Sequence, residues 1–471
     1  MKATFLTFLL IPVFHYLGHS QSCLPNGIIF TTQAEVDNFS VNYPACTVIE
    51  GNVEIGGWEA ITDLSGLSGL TRIDGNFGIF SATAIENLEG LNNLNSVGGN
   101  FYLSYNNALT DISALSSLQS IGGYFDISGN STLSNLDGLE QLDSIGDWLA
   151  FNATDLTDLD GLSNLSFIGG DLLIFYNQVL ASLAGLNNLN AIGGGLELLG
   201  NGMLADLNGL NNITTIGDRL LIYENNTLLN FTGLDKLRSV GGHFTVYNCG
   251  TFVNFQGLDS LRIIGDSLKV FSCPSLTDLS GMPRLDSIGD AFRLIGNSNL
   301  SHIGNFDKLA YIGSDFELEN CPMLTQLTGL ENLHAIGGNF LITDEVSNLQ
   351  GLNQLQTIGG DYSVSSTLES FSGADNLNHI GGNFTILNNY NLTDFEGLNQ
   401  LTTIDGDVWF NGMPSLANLS GLEYLTTVGG DLILDIQTGL TSVQELVSLT
   451  YIGGSLSVPY ILESFEGLEN L

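Results

Sequence analysis

An Ile or Val followed by Gly returns along almost the whole chain. It stands at Val97, Ile121, Ile145, Ile168, Ile192, Ile216, Val240, Ile264, Ile288, Ile312 and Ile336, and again at Ile358, Ile380, Val428 and Ile452. Ile49, Ile73 and Ile404 keep the register with an acidic residue before the Gly. Successive returns are 24 residues apart, except for one step of 23 and two of 22. A period of that length restricts the chain to stacked units that touch only their neighbours.

The turn from Ile121 shows what one unit contains. Gly122 and Gly123 lead into Tyr124-Phe125-Asp126-Ile127-Ser128, whose polar–apolar alternation predicts a short strand. Asn130, Leu133, Leu136, Gly138-Leu139 and Leu142 follow before Ile145 opens the next unit. Apolar residues at near three-residue spacing describe a chain turning corners around a narrow core, not an amphipathic helix. The Gly after the branched residue implies either an unusual backbone angle or a close approach of another chain segment. A single unit buries too little apolar surface to offset the ordering of its backbone, so stacking must supply the rest. About eighteen turns at ~4.8 Å each make a rod on the order of 85 Å long.

Asn130 belongs to a column of its own, with Asn106, Asn177, Asn201, Asn225, Asn297 and Asn389 at equivalent positions. An inward Asn can satisfy backbone groups away from water. Cys249, Cys273 and Cys321 occupy the same position and read as buried thiols of the core rather than metal or redox groups. Cys249 and Cys273 fall in adjacent turns, close enough in principle for a disulfide, but the odd Cys321 at the same position argues that the position simply tolerates a thiol.

The two ends depart from the pattern. Residues 1–20 carry Lys2, an apolar run from Phe5 to Phe14, and small residues Gly18 and Ser20 before a cleavage point, which predicts a signal peptide. Residues 21–48 are expected to be an N-terminal cap. Thr32 and Glu35 fit a capping box opening a short helix with Val36 and Phe39 on one face, and Cys23 and Cys46 bracket it as an expected disulfide. The solenoid is expected to run from 49 to 471. No polar C-terminal cap precedes Leu471, so the chain is expected to be a fragment of a longer one.

Ten Lys plus Arg against fifty Asp plus Glu give a formal charge of −40, which disfavours nucleic-acid and anionic-membrane partners. With 43% apolar residues recurring regularly, the composition is that of a folded chain.

The pattern I-G-G-x-Phe/Leu-x-Ile/Leu-x-x-Asn followed by Leu-x-x-Leu-x-Gly-Leu-x-x-Leu resembles the receptor L-domain family of leucine-rich-repeat-like solenoids, over about residues 23 to 471. The resemblance is nearest to bacterial surface proteins built from the same repeat. It implies a right-handed, β-helix-like all-β solenoid and a role in ligand binding or wall association, and it carries no catalytic residues. The cysteine-rich modules that flank L domains in hormone receptors are missing.

If Phe125 and Ile127 point inward, positions 124, 126 and 128 and their equivalents form three outer columns. In the third column Phe175, Leu199, Tyr223, Tyr247, Phe271 and Ile295 follow one another in six consecutive turns. Arg219, His243, Lys269 and Arg293 lie in the neighbouring columns, and eight of the ten basic residues fall between Arg219 and Lys308. The expected ligand-binding set is therefore Phe175, Tyr223, Tyr247, Phe271, Arg219, Lys269 and Arg293, suited to sugar rings, an acidic polysaccharide or a protein. The alternative is a column that tilts inward beneath the following loop. The first column holds Asp315, Asn339, Asp361, Asn383, Asp407 and Asp431. It reads first as a solvated polar face, then as a calcium site, last as a glycosidase-like pair. No cofactor is expected, and calcium is the one ion considered. With no GxSxG, P-loop, HExxH or CxxC motif, the expectation is a binding or adhesion solenoid rather than an enzyme. A structural spacer is the second reading and a β-helical polysaccharide-degrading enzyme the third.

Overall fold

A computed structural model describes residues 21–56, 60–343, 345–365, 367–436 and 439–471. The expected signal peptide, residues 1–20, lies outside the described residues. Each turn of the coil contributes two strands, and the turn from Ile145 is representative. Ser144–Ile145 is a two-residue strand at the Ile-Gly step, and Leu149–Asn152 is the longer strand that follows. Each pairs in parallel with its counterpart one turn on, Ile145 opposite Ile168 and Leu149 opposite Leu172. The result is a narrow sheet of 19 short strands and a broad sheet built from the alternate, longer ones. The broad sheet is open, running turn by turn from Ile28–Phe30 to Leu456–Ser457.

The third side of each coil is made of tight turns. Leu139 N–H donates to Leu136 at 3.1 Å and Leu142 N–H to Leu139 at 2.9 Å, so the three-residue leucine spacing records successive i→i+3 turns. In some coils the same corner closes as a short 3₁₀ helix, as at Asp160–Leu162. All of these leucines are fully buried, as are Phe125 and Ile127 of the broad sheet. Phe77, Phe101 and Phe125 stack through the core with ring centroids 4.9 Å apart.

The Ile-Gly glycine is needed for close approach rather than for an unusual angle. A Cβ on Gly122 would lie 2.1 Å from the Gly98 carbonyl oxygen of the preceding turn. Gly138, at the corner, needs both: its φ is +107°, and a Cβ would meet the Ile112 carbonyl oxygen at 2.5 Å.

The inward Asn column is a hydrogen-bonded ladder. Asn201 Nδ2 donates to the Ile174 carbonyl at 2.8 Å, and its Oδ1 accepts the Asn177 N–H at 3.1 Å. Asn130 and Asn297 repeat the arrangement, and every Asn of the column is fully buried. Cysteine reproduces it with weaker chemistry: the Cys321 thiol donates to the Leu294 carbonyl at 3.6 Å, the acceptor an Asn amide would use. These are core residues.

At the N-terminal end, Gln33–Asp37 is a helix opened by the Thr32/Glu35 capping box. Val36 and Phe39 bury against the first coil, and a Cys23–Cys46 disulfide with Cα atoms 5.7 Å apart ties the segment together. The same segment supplies Gln21–Cys23 to the narrow sheet and Ile28–Phe30 to the broad one, so it forms a coil of the solenoid as well as a lid.

Candidate outer face of the broad sheet

Strand pairing brings Phe175, Leu199, Tyr223, Tyr247, Phe271 and Ile295 into one column, each the direct partner of the next. All six are half-buried: they point outward and shield one another edge to edge. Tyr223 and Tyr247 stack at 5.1 Å with an interplanar angle of 12°, and Tyr247 meets Phe271 edge-on at 6.4 Å. Tyr176, next to Phe175 and in the left-handed conformation, adds a ring that is 47% exposed. A hydrogen bond from the Tyr223 hydroxyl to the Glu224 carboxylate raises that phenol's pKa.

The basic residues are less available than their positions in sequence imply. Arg219 pairs with Glu197 one turn earlier, and also with Asp218 at 3.3 Å and Asp171 at 3.7 Å. Burial disfavours its charge, but these carboxylates outweigh burial and raise its pKa. Arg293 is held by Asp315 at 3.2 Å and Glu317 at 3.0 Å. Lys269, in the middle column between Thr245 and Arg293, makes no ion pair with a described residue. Of the eight basic residues between Arg219 and Lys308, only Arg219, Lys269 and Arg293 lie in the outer columns of the broad sheet. Arg238 and Arg262 precede narrow-sheet strands Ser239–Val240 and Ile263–Ile264, because the 24-residue period carries those positions to the other sheet. The basic region of the sequence is thus divided between two surfaces.

The Asp/Asn column is neither bare polar surface nor an acid cluster. Asp315 Oδ1 accepts the Asn339 N–H at 2.9 Å, Asn339 Oδ1 the Asp361 N–H at 2.8 Å, and Asp361 Oδ1 the Asn383 N–H at 2.7 Å. Asn383, Asp407 and Asp431 continue the series. It is a second, outer ladder that caps the backbone of each next turn. Asn52, Asn76 and Asn100 do the same near the N-terminal end. Among the described residues no group of three or more His, Cys, Asp or Glu is placed to hold a metal ion.

The outer ladder stops where aromatic residues begin. Its column holds Tyr124 and Trp148, resumes at Asp171, and is then Gly195, Arg219, His243, Ser267 and Ala291. The first gap carries an aromatic patch that column-by-column reading of the sequence does not reveal. Tyr124 and Trp148 stack 3.9 Å apart with rings 8° from parallel; Tyr102 meets Tyr124 edge-on at 4.9 Å; and Phe80 leans over Gly78 toward Tyr102 at 5.2 Å. The Tyr102 and Tyr124 hydroxyls are hydrogen-bonded to each other, and burial together with that contact raises the Tyr124 pKa. The rings come from three different columns, and the only sequence signal was the missing Asn or Asp at 124 and 148.

A parallel coil with a packed leucine core, inner and outer hydrogen-bond ladders and a laterally displayed broad sheet defines the class of leucine-rich solenoids. The receptor L domain family matches residues 45–120, and the BspA type leucine rich repeat region matches in six copies, over 200–325 and 293–417. These matches bear out the resemblance to receptor L-domain and leucine-rich-repeat solenoids. No curated protein matches it significantly. Among solved structures it is similar to the crystal structure of the TLR13–ssRNA13 complex, at 15% identity over 90% of this chain and 69% of that one. The TM-score of 0.30 is too low for that likeness to bear on what this chain binds. Among the described residues no helix is long and apolar enough to cross a membrane.

Proposed function

We propose that this chain is an exported binding or adhesion solenoid whose broad-sheet outer face, between Phe175 and Ile295, takes a carbohydrate or protein ligand. The observation that carries the reading is a coincidence of two patterns. In six consecutive turns the outward third column is apolar and half-exposed, and in the last five of these the first column carries no Asn or Asp. An apolar stripe rimmed by polar side chains is the usual form of a recognition surface. Lys269 supplies a donor beside the rings, whereas Arg219 and Arg293 shape the face through their ion pairs and His243 through its contact with Asp266 at 3.1 Å. The Cys23–Cys46 disulfide supports export to an oxidising compartment. The charge of −40 argues against phosphate-rich ligands.

The experiment is a glycan-array screen of residues 21–471, with calcium and with chelator. Binding that is lost in a folded Tyr223→Ala/Tyr247→Ala/Phe271→Ala variant is the expected result. Calcium-dependent binding indifferent to that variant would move the site elsewhere. An empty array would favour a protein ligand or the spacer role, which the saturated ion pairs of Arg219 and Arg293 also fit.

A further inference from the structure

Cys249 and Cys273 stand two residues beyond Tyr247 and Phe271, which are direct partners in the parallel broad sheet. The two cysteines therefore occupy neighbouring rungs of the inner ladder, while Asn297 separates Cys273 from Cys321. Both are fully buried. Their thiols donate weakly to the carbonyls of Tyr247 at 3.5 Å and Phe271 at 3.4 Å, and each thiol perturbs the other's ionisation. Neighbouring parallel strands lie about 4.7–4.9 Å apart, inside the Cα separation of roughly 4.4–6.8 Å that a disulfide spans. The bonds that oxidation would remove are weak S–H contacts, so little is lost from the core.

We propose that Cys249 and Cys273 are joined in the exported protein as a second disulfide, a staple between two adjacent turns directly behind the Tyr247–Phe271 pair. The reagent is a disulfide oxidant, either a thiol–disulfide oxidoreductase in its oxidised form or a small-molecule disulfide. One cysteine thiolate attacks a sulfur of the oxidant and displaces a thiolate. The second cysteine thiolate then attacks the mixed disulfide, forms the Cys249–Cys273 bond and releases the other half of the oxidant as a thiol. Two protein thiols are oxidised, and two protons and two electrons pass to the oxidant. Because both sulfurs are shielded once the turns close, the exchange precedes the stacking of those two turns.

The test is peptide mapping of the exported chain, alkylated in denaturant without reductant, in a sample whose Cys23–Cys46 bridge is intact. That bridge is the internal control for an oxidising history. The expected result is a reductant-sensitive peptide pair linking Cys249 to Cys273, which disappears in both Cys249→Ala and Cys273→Ala. Alkylated Cys249 and Cys273 alongside an intact Cys23–Cys46 bridge would overturn the proposal, and so would a link from either to Cys321. As a second readout, reductant added under native conditions should leave the Cys249–Cys273 pair linked, since both sulfurs are buried.

Discussion

Two stretches of one sheet, built on the same period, use their outer face differently. From Asp315 to Asp431 the first column is entirely Asp or Asn, and each side chain caps the backbone of the next turn. Beside it, the third column includes Glu319, Ser365, Asn411 and Asp435. From Gly195 to Ala291 the first column holds no Asn or Asp, the Ser267 N–H meets His243 Nδ1 only at a long 3.4 Å, and the third column is aromatic and aliphatic throughout. The inner ladder and leucine core are common to both. An oxygen that caps a neighbour's N–H is committed to holding turn on turn, and only where that duty lapses does the face vary freely. Asp and Asn alternate from Asp315 to Asp407, which sets carboxylates two turns apart, on the order of 10 Å, about a Debye length in ordinary salt.

The comparison breaks first if the shared scaffold is not shared. Asn201→Ala in the central turns orphans a buried N–H and a buried carbonyl, and Asn389→Ala does the same in the later turns. Each should lower stability by about 3 kcal/mol, read from chemical denaturation, and the two losses should be alike. A large loss at one site only would mean that the halves do not rest on a common inner ladder.

A smaller effect sharpens the contrast between the outer columns. Asp361→Ala removes the acceptor for the Asn383 N–H and should lower stability by about 1 kcal/mol. His243→Ala, at the equivalent position in the gap, removes only a long 3.4 Å acceptor for the Ser267 N–H and should stay within about 0.5 kcal/mol. Equal losses would remove the distinction between ladder and gap.

The smallest effect is electrostatic. The Ser267 hydroxyl donates to Asp290 at 2.7 Å and holds its carboxyl below the ordinary carboxylate range. A depressed folded pKa contributes stability that is present above the unfolded pKa and disappears as pH falls through the folded value. Ser267→Ala should therefore cost slightly at neutral pH and nothing below Asp290's depressed pKa. An equal loss at both pH values would assign the effect to packing.

Much of this was readable in the residues. The alternation at 124–128 marked the broad-sheet strand, the Leu spacing the corners, and Thr32 with Glu35 the cap helix, whereas the narrow sheet at the Ile-Gly step was not foreseen. The role of Asp361 and its neighbours was not readable. Periodicity says which column a carboxylate belongs to, but not that its oxygen reaches the N–H one turn on. Arg219 looked like a free cation because Glu197, its partner, lies 22 residues away in sequence and one rung away in space. Tyr102, Tyr124 and Trp148 escaped notice because rings long enough to cross columns do not respect the period-two bookkeeping of a strand.

The central claim is that the gap in the outer ladder marks the recognition face. Its most direct test compares two folded triple variants for binding to whatever glycan or protein the intact chain retains. Tyr223→Ala/Tyr247→Ala/Phe271→Ala should abolish binding with little loss of stability, whereas Asp315→Ala/Asp361→Ala/Asp407→Ala should lose stability and keep binding. Binding that survives the first variant and fails in the second would contradict the account.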